Sequence, residues 1–573
     1  MPSRKKYTGT VVKLEAIKAL KAVLGKGYSP NIDELSVPPD ASFGDLAYGC
    51  FELAKGMKRN PAEVASEIAP KIATTGTIER VEARGPYVNF FLQQERFMKS
   101  VLTEIILAGE SYGHHADGAS KRVMVEYANP NTHKEIHIGH LRNFIVGKLA
   151  VNLLRAVGFD VIAASYINDL GNNVAKCLWA VKTLHPREKP EKGQEINFLG
   201  MAYAEATRAA EENPAVLAEI SDIQKSLEEK KGEWHALWKE TRKWSLAALF
   251  RAFKSFELKI DAQYYESDLL KKTDEIVDDL LKRGIAEVSD GAVIVNLEDE
   301  GAGVSLLKKT DGSLLYNAKD LALALSKQND YSPSRSLIVV DVRQSLAMRQ
   351  LFLTLKKMGI RIPYEHLSYG FISLPEGAMS SRSGNIVRLE EFEEGIIGEA
   401  LRETKARHGK WADRKQKEVA RAIARAAIVF AIAKQDPRKD MVFNPKEAIS
   451  FEGASGPYLL YTLARISSML KKSGVKPKNG HAAVKTKEAQ MLVAVLAGYP
   501  ERIRRAGLEL DLSVPAQAAF DIAQAFASYY NAEVVIVEDD SDGTAARLAL
   551  CEATRQVLEN ALTLIGIPII HEM

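Results

Sequence analysis

Cysteine is nearly absent: the chain has three in 573 residues, Cys50, Cys177 and Cys551, far apart from one another. No pair has the spacing of a zinc site, and nothing suggests a disulfide framework. Long apolar runs are also missing. None approaches the ~20 residues that span a bilayer. The opening residues Met-Pro-Ser-Arg-Lys-Lys lead into an amphipathic segment rather than the apolar core of a secretion signal. Charge of one sign is lacking too, since 77 Lys and Arg stand against 74 Asp and Glu, a formal net charge of +3. Whole-chain charge therefore selects no partner, and any surface for a polyanion must be local. A cytoplasmic protein without a membrane partner is the expectation. What is present is an apolar fraction of 46%, enough for packed cores, over a length that suggests three to four domains at roughly 150 residues each.

Residues 1–115 read as a small α+β unit. Residues 11–24 have apolar side chains at helical spacing, residues 60–69 read as a helix with Pro61 near its start, and residues 78–92 read as two strands around a Gly85-Pro86 turn. Residues 111–121, rich in Gly, Ser and charge, read as a linker. Over 120–400 the pattern becomes βαβ: a strand at 123–127, a helix over 141–157 ended by Gly158, and a buried strand at 161–167. That is a right-handed crossover of a doubly wound parallel sheet. A charged helical stretch at about 185–260 reads as an insertion, after which strands at 336–340 and 366–374 resume the sheet around a helix at 344–358. Residues 401–573 read as almost all helix.

The most informative stretch is residues 130–140, Pro-Asn-Thr-His-Lys-Glu-Ile-His-Ile-Gly-His. It joins the first strand of the doubly wound unit to its helix, where such sheets bind ligands and helix N-termini bind phosphate. Gly139 allows close backbone approach, and His137 and His140 add donors for charge that develops on a polyphosphate. A second loop, residues 378–385, Ala-Met-Ser-Ser-Arg-Ser-Gly-Asn, offers hydroxyls and the planar guanidinium of Arg382 at the end of a later strand.

Together these two elements resemble the two signatures of the class I aminoacyl-tRNA synthetases. The extended first element, with Glu126, Asn131, Lys134, His137, His140 and Arg142, resembles the arginyl-tRNA synthetases in particular. Residues 42–46 (Ser-Phe-Gly-Asp-Leu) and 85–90 (Gly-Pro-Tyr-Val-Asn-Phe) are similar to that family's N-terminal domain for the tRNA elbow. Residues 453–458, with Arg465, resemble the start of its helical anticodon-binding domain, and residues 548–566 its last helix.

The resemblance implies a Rossmann-like catalytic domain with a helical insertion between an N-terminal α+β domain and a C-terminal all-α domain. It implies ATP with Mg2+, L-arginine and arginine tRNA as partners, no resident metal, and a monomer. Pro130, His137, Gly139, His140, Met379, Ser380 and Ser381 would meet ATP, with Lys134, His137, His140 and Arg382 at the reacting phosphates. Glu126, Asn131, Tyr316, Asp320 and Gln344 would hold arginine. Asn89, Tyr458, Tyr461, Tyr530, Asn531 and Met573 would touch tRNA, and Tyr529 is a further aromatic in that region. The pocket set also makes physical sense. A guanidinium in a closed site needs carboxylates and hydrogen-bond acceptors around its five donors, and Tyr316 and Asp320 stand one helical turn apart.

The chain departs from the family pattern in places. Ala378 and Ser381 stand where class I enzymes often carry lysines, with Arg382 one place later, and Lys134 occupies the position thought to replace the second lysine. Ala347 stands where a histidine is common, and Asn168-Asp-Leu-Gly171 where Asp-Trp-Gly is. Two rivals remain at this stage: a class I enzyme for another amino acid, which would lack the paired acids, and a non-catalytic tRNA-binding paralogue, which would have lost His137, His140 or Lys134.

Overall fold

Five parallel strands form the centre of the molecule: β1 (Arg122–Glu126), β2 (Asp160–Ile167), β3 (Ala262–Tyr265), β4 (Arg335–Asp341) and β5 (Tyr364–Tyr369), in the spatial order β5-β4-β1-β2-β3. The order reverses at β1, so the crevice beyond its carboxyl end is the ligand site expected of such a sheet. The computed structural model describes residues 7–24, 28–38, 40–74, 76–375, 387–478 and 486–573.

β1 is apolar because it is covered on both faces: Val123, Met124 and Val125 are fully buried. The helix Ile138–Ala156 returns over it with Leu141, Phe144, Ile145, Leu149 and Leu153 inward. Each such side chain contributes about 1.5–3 kcal/mol when fully buried. The helix lies so close to the sheet that a Cβ on Gly147 would sit 2.2 Å from the Tyr127 ring, so no other residue fits there.

Two insertions interrupt the sheet. The helices Glu195–Glu212, Pro214–Glu228 and Gly232–Ser255 form the expected charged insertion. A second was not visible in the sequence: the antiparallel strands Glu287–Ser289, Ala292–Leu297 and Gly303–Lys308, placed just before the helix Tyr316–Tyr331.

The N-terminal unit has a four-stranded antiparallel sheet with the helices Thr8–Leu24, Phe51–Met57 and Pro61–Ile68. The C-terminal unit is built from helices including Asp413–Ala433, Gly456–Lys472, Lys487–Glu509, Val514–Ala532 and Ser541–Ile565. Residues 111–121 correct the expectation of a linker. Tyr112 is buried and donates its hydroxyl to the Leu496 carbonyl at 3.0 Å, and His115 Nε2 lies 2.8 Å from the Pro500 carbonyl. Arg504 closes a bidentate pair on Asp117 at 3.1 and 3.0 Å. This stretch bolts the N-terminal half to a C-terminal helix instead of tethering it loosely.

Candidate active site

The chain leaves β1 through a sharply bent segment. Ala128 and His133 both have left-handed backbone, with φ of 56° and 59°. Such conformers cost non-glycine residues about 1 kcal/mol or more and persist where surroundings fix them. Asn143 from the following helix accepts from the Ala128 N–H at 2.6 Å and donates to the Val339 carbonyl on β4 at 2.7 Å. His133 is fully buried, with ring nitrogens 2.9 Å from Thr132 Oγ1 and 2.8 Å from Thr241 Oγ1, and its N–H on Ser245 Oγ. Burial holds its pKa down at about 3, so it is neutral. Thr241 and Ser245 belong to the insertion helix Gly232–Ser255, which therefore clamps the segment from outside.

His137 and His140 cap the helix that follows. The Gly139 N–H donates to His137 Nδ1 at 3.1 Å, and the His137 N–H donates to His140 Nδ1 at 3.2 Å. A nitrogen that accepts carries no proton, so each ring keeps its hydrogen on Nε2 and is uncharged. Burial, reinforced by Lys134, lowers His137 to about 4, and burial pushes His140 well below the ordinary imidazole value. The pair thus offers two neutral Nε2–H donors at the positive end of a helix dipole. Gly139 is required for this arrangement, since a Cβ there would stand 2.9 Å from the His137 ring. Lys134 Nζ lies 4.6 Å from the centre of the Tyr203 ring on the helix Glu195–Glu212. Pro130 is buried, and its carbonyl accepts from the Asn168 N–H at 3.2 Å.

At the carboxyl end of β1 lies a cavity of about 390 Å³, lined by Glu126, Asn131, Tyr316, Asp320 and Gln344, with His140 at its edge. All five residues named for arginine thus share one wall system. The resemblance names Glu126 and Asp320 as the two acids for the guanidinium, and their surroundings in the structure differ from each other. Glu126 is buried, ion-paired with the buried Lys327, and accepts from Asn129 Nδ2 at 2.7 Å. A second buried pair, Glu266 with Lys319, sits beside it, and Asn168 donates to Glu266 at 2.9 Å. Asp320 alone has no hydrogen bond or ion pair from any described residue. Burial and the neighbouring Glu126 raise its pKa to about 7. The hydroxyl of buried Tyr166, which also lines the cavity, likewise has no partner among the described residues.

Lys319, Lys327, Asn129, Tyr166 and Asn168 were not anticipated. Lys327 had a legible signal: it follows Asp320 by seven residues, two helical turns, and so shares its face.

Arg142 joins the two halves of the site. Its buried guanidinium donates to the carbonyls of Gly370 and Phe371 at 2.7 Å, of Pro437 at 2.9 Å, and of Lys439. The strand Ile372–Ser373 pairs with Met441–Val442 just beyond, and Leu389 N–H returns to the Ile136 carbonyl at 2.8 Å. Met379, Ser380, Ser381 and Arg382 lie outside the described residues.

Among residues named for tRNA, Tyr461 is exposed, and the Arg465 guanidinium lies 4.3 Å over the Tyr530 ring and 5.7 Å from that of Tyr461. Asn531 is exposed beside them, while Tyr458 and Met573 are half-buried. Tyr529 is fully buried in the core. Asn89 needs correction: it is 3% exposed in the strand Tyr87–Leu92, so its amide is not at the surface. Exposed aromatic groups on that unit include Phe43, Phe51 and Tyr87. Among the described residues no group of three His, Cys, Asp or Glu is placed to hold a metal ion. No described helix is long and apolar enough to cross a membrane.

Comparison with known proteins agrees with this geometry. The family model of the class I (R) tRNA synthetase catalytic domain matches residues 101–445, that of the DALR anticodon-binding domain residues 459–573, and that of the arginyl-tRNA synthetase N-terminal domain residues 13–92. An arginine–tRNA ligase of Bdellovibrio bacteriovorus is 33% identical over 98% of this chain and 99% of its own length. One of Treponema denticola is 32% identical over 95% of each. The solved arginyl-tRNA synthetase of Thermus thermophilus superposes with a TM-score of 0.80 at 24% identity, over 98% of this chain and 99% of its own, which speaks to the fold. With a catalytic-domain match over more than half its length and full-length relatives above 30% identity, the chain belongs to the arginyl-tRNA synthetases of class I.

Proposed function

We propose that this arginine–tRNA ligase works in two steps whose geometry is set by the segment 126–140. First, an α-carboxylate oxygen of arginine attacks the α-phosphorus of ATP, forming arginyl-adenylate as pyrophosphate leaves. Then a ribose hydroxyl of the terminal adenosine of tRNA attacks the adenylate carbonyl, and AMP leaves. No protein nucleophile is needed, so catalysis is positioning and electrostatics.

The observation that carries this assignment is the cavity, lined also by His140, with one carboxylate, Asp320, that is unpaired among the described residues. Asp320 meets the guanidinium, and Tyr316, Gln344 and the free Tyr166 hydroxyl satisfy its remaining N–H donors. Asn131 holds the α-amino end near the phosphates. His137 and His140 donate Nε2–H to phosphate oxygens without bringing charge, while Lys134, Arg382 and the loop of Met379, Ser380 and Ser381 supply cations and donors. Mg2+ would arrive on the phosphates of ATP, with which it neutralises charge. Tyr461, Tyr530 and Asn531, with Arg465, present stacking and donor groups for unpaired anticodon bases. The enzyme is taken to act as a cytoplasmic monomer, which light scattering of the purified protein would test.

The deciding experiment is aminoacylation of total tRNA with each labelled amino acid. Arginine alone should be attached. Attachment of a different amino acid, or of none, overturns the proposal.

A further inference from the structure

Three charged side chains line the cavity, Glu126, Lys327 and Asp320, and a further buried pair that acts on Asp320 brings the group to five, whose signs do not cancel. Glu126 on β1 is paired with Lys327, and Glu266 at the start of the helix Glu266–Lys282 is paired with Lys319. Both lysines come from the helix Tyr316–Tyr331, which also carries Asp320. All four paired groups are buried, with side-chain exposures of 1–7%. The fifth, Asp320, is left over. The other titratable groups lining the cavity are the phenols Tyr166, Tyr316 and Tyr369, whose pKa is raised, and His140, whose pKa is held well below the ordinary imidazole value, so all four are neutral.

We propose that Lys327 is a specificity-determining positioning residue: by neutralising Glu126 inside the cavity it sets the pocket at one net negative charge, placed on Asp320. This rests on the assignment of the cavity to the arginine side chain. A pocket with two free carboxylates would bind a proton or a second cation along with its substrate, because like charges in a dry site cannot both stay ionised. A pocket with none would strand a guanidinium without a counter-charge. The pair also holds the Glu126 carboxylate back, with Lys327 on one oxygen and Asn129 on the other. Glu126 then acts as a wall of fixed polarity and Asp320 as the contact.

The consequence is readable in the pH dependence of arginine binding. Asp320 must be ionised to receive the guanidinium, and its pKa in the free enzyme lies at about 7. Arginine KM should therefore rise by up to tenfold for each pH unit below that value and level off above it. Removing Lys327 leaves Glu126 uncompensated and drives the break upward. Removing the charge of Glu126 leaves Lys327 uncompensated and drives it downward. A merely structural role for the pair would weaken binding in both variants without moving the break in opposite directions.

The test measures arginine KM and kcat in aminoacylation from about pH 5.5 to about pH 9 for the full-length enzyme and the variants K327M, K327R, E126Q, E126Q/K327M and D320N. K327M should shift the break up by about one unit or more, E126Q should shift it down, and K327R and the double variant should return near the wild-type value. Breaks that stay put in K327M and E126Q, while D320N still raises arginine KM, overturn the role given to Lys327 and leave the pocket intact. An unchanged KM in D320N overturns the pocket itself. Should K327M fail to fold, the direction of the E126Q shift decides alone: downward supports the proposal, and no shift or an upward one refutes it.

Discussion

In the proposed assignment, the two ends of the segment 126–140 solve opposite electrostatic problems by opposite means. At the arginine end the ligand is a cation, and the protein supplies many charges that nearly cancel, leaving Asp320 unpaired. At the ATP end the ligand is a polyanion. There the nearest groups are two imidazoles kept neutral by mutual capping and burial, with Lys134 parked on an aromatic face 4.6 Å away. The difference follows from the chemistry to be done. A side chain that must be recognised and never changes charge is best met by one fixed counter-charge. Phosphates whose charge is redistributed along the reaction are better met by neutral donors and by cations free to follow it.

The sharpest way to break that contrast is to exchange its parts. Asp320→Asn removes the one uncompensated charge and should lower kcat/KM for arginine by about 10²–10³-fold, chiefly through KM. A change confined to kcat would mean that Asp320 is not the side-chain contact. His140→Ala should do the converse: kcat falls by about 10²-fold or more, with arginine KM little altered, because its Nε2–H serves developing charge and not the bound cation. Steady-state rates at saturating ATP and tRNA separate the two outcomes.

The elements that carry the site were legible in the sequence, but the charge balance within it was not. The first signature sits between a continuous apolar run and a helix-periodic one, and only a strand and a helix joined by a ligand-binding turn produce that pattern. Tyr316 and Asp320 were named from the family resemblance, and their i, i+4 spacing fits one face of a helix. What escaped reflects interactions that have no local signature. Lys327 shares a helix face with Asp320, but its partner Glu126 is 201 residues away on β1, so helical spacing could not show the pair. The strands Ala292–Leu297 and Gly303–Lys308 are short and leave apolar Val304 and Leu306 exposed, so no apolar-in, polar-out alternation marked them. Asn89 was named for tRNA only through the family resemblance, and it sits in the central part of a strand with its neighbours Val88 and Phe90 in the core. Residues 111–121 have the composition of a linker, and only distant partners such as Leu496 and Pro500 hold them.

Two smaller effects probe how the ATP end is held. Lys134→Ala should lower kcat for adenylate formation by about 10–10²-fold, less than His140→Ala, since one mobile cation among several is lost. An activation rate near wild type would remove Lys134 from the phosphate site. Tyr203→Leu deletes the aromatic face on which Lys134 rests. A cation–π contact is worth about 0.5–2 kcal/mol, so a change of a few-fold in kcat is expected, and none at all in a Lys134→Ala background.

The smallest expected effect concerns acid stability, and it distinguishes the two ends without any substrate. His133, His137 and His140 are buried and neutral, with pKa values of about 3, about 4 and well below the ordinary value. Each is depressed relative to the unfolded chain, where imidazole titrates near 6.5. Above about pH 6.5 both states leave the rings unprotonated, and the histidines impose no pH dependence. As pH falls below 6.5 the unfolded chain takes up protons that the folded site refuses, and each histidine costs stability with a slope approaching about 1.4 kcal/mol per pH unit, continuing toward its folded value. Asp320 has the opposite sign: its raised pKa means the folded state binds a proton the unfolded chain does not, so acidification from about pH 7 toward 4 favours the fold. His133→Asn, which can still bond Thr132 and Thr241, should therefore flatten the loss of urea midpoint between pH 6.5 and 5.5 by about 1 kcal/mol, whereas Asp320→Asn should steepen it. Equal pH slopes in the wild type and both variants would show that neither end of the segment carries the buried charge balance described above.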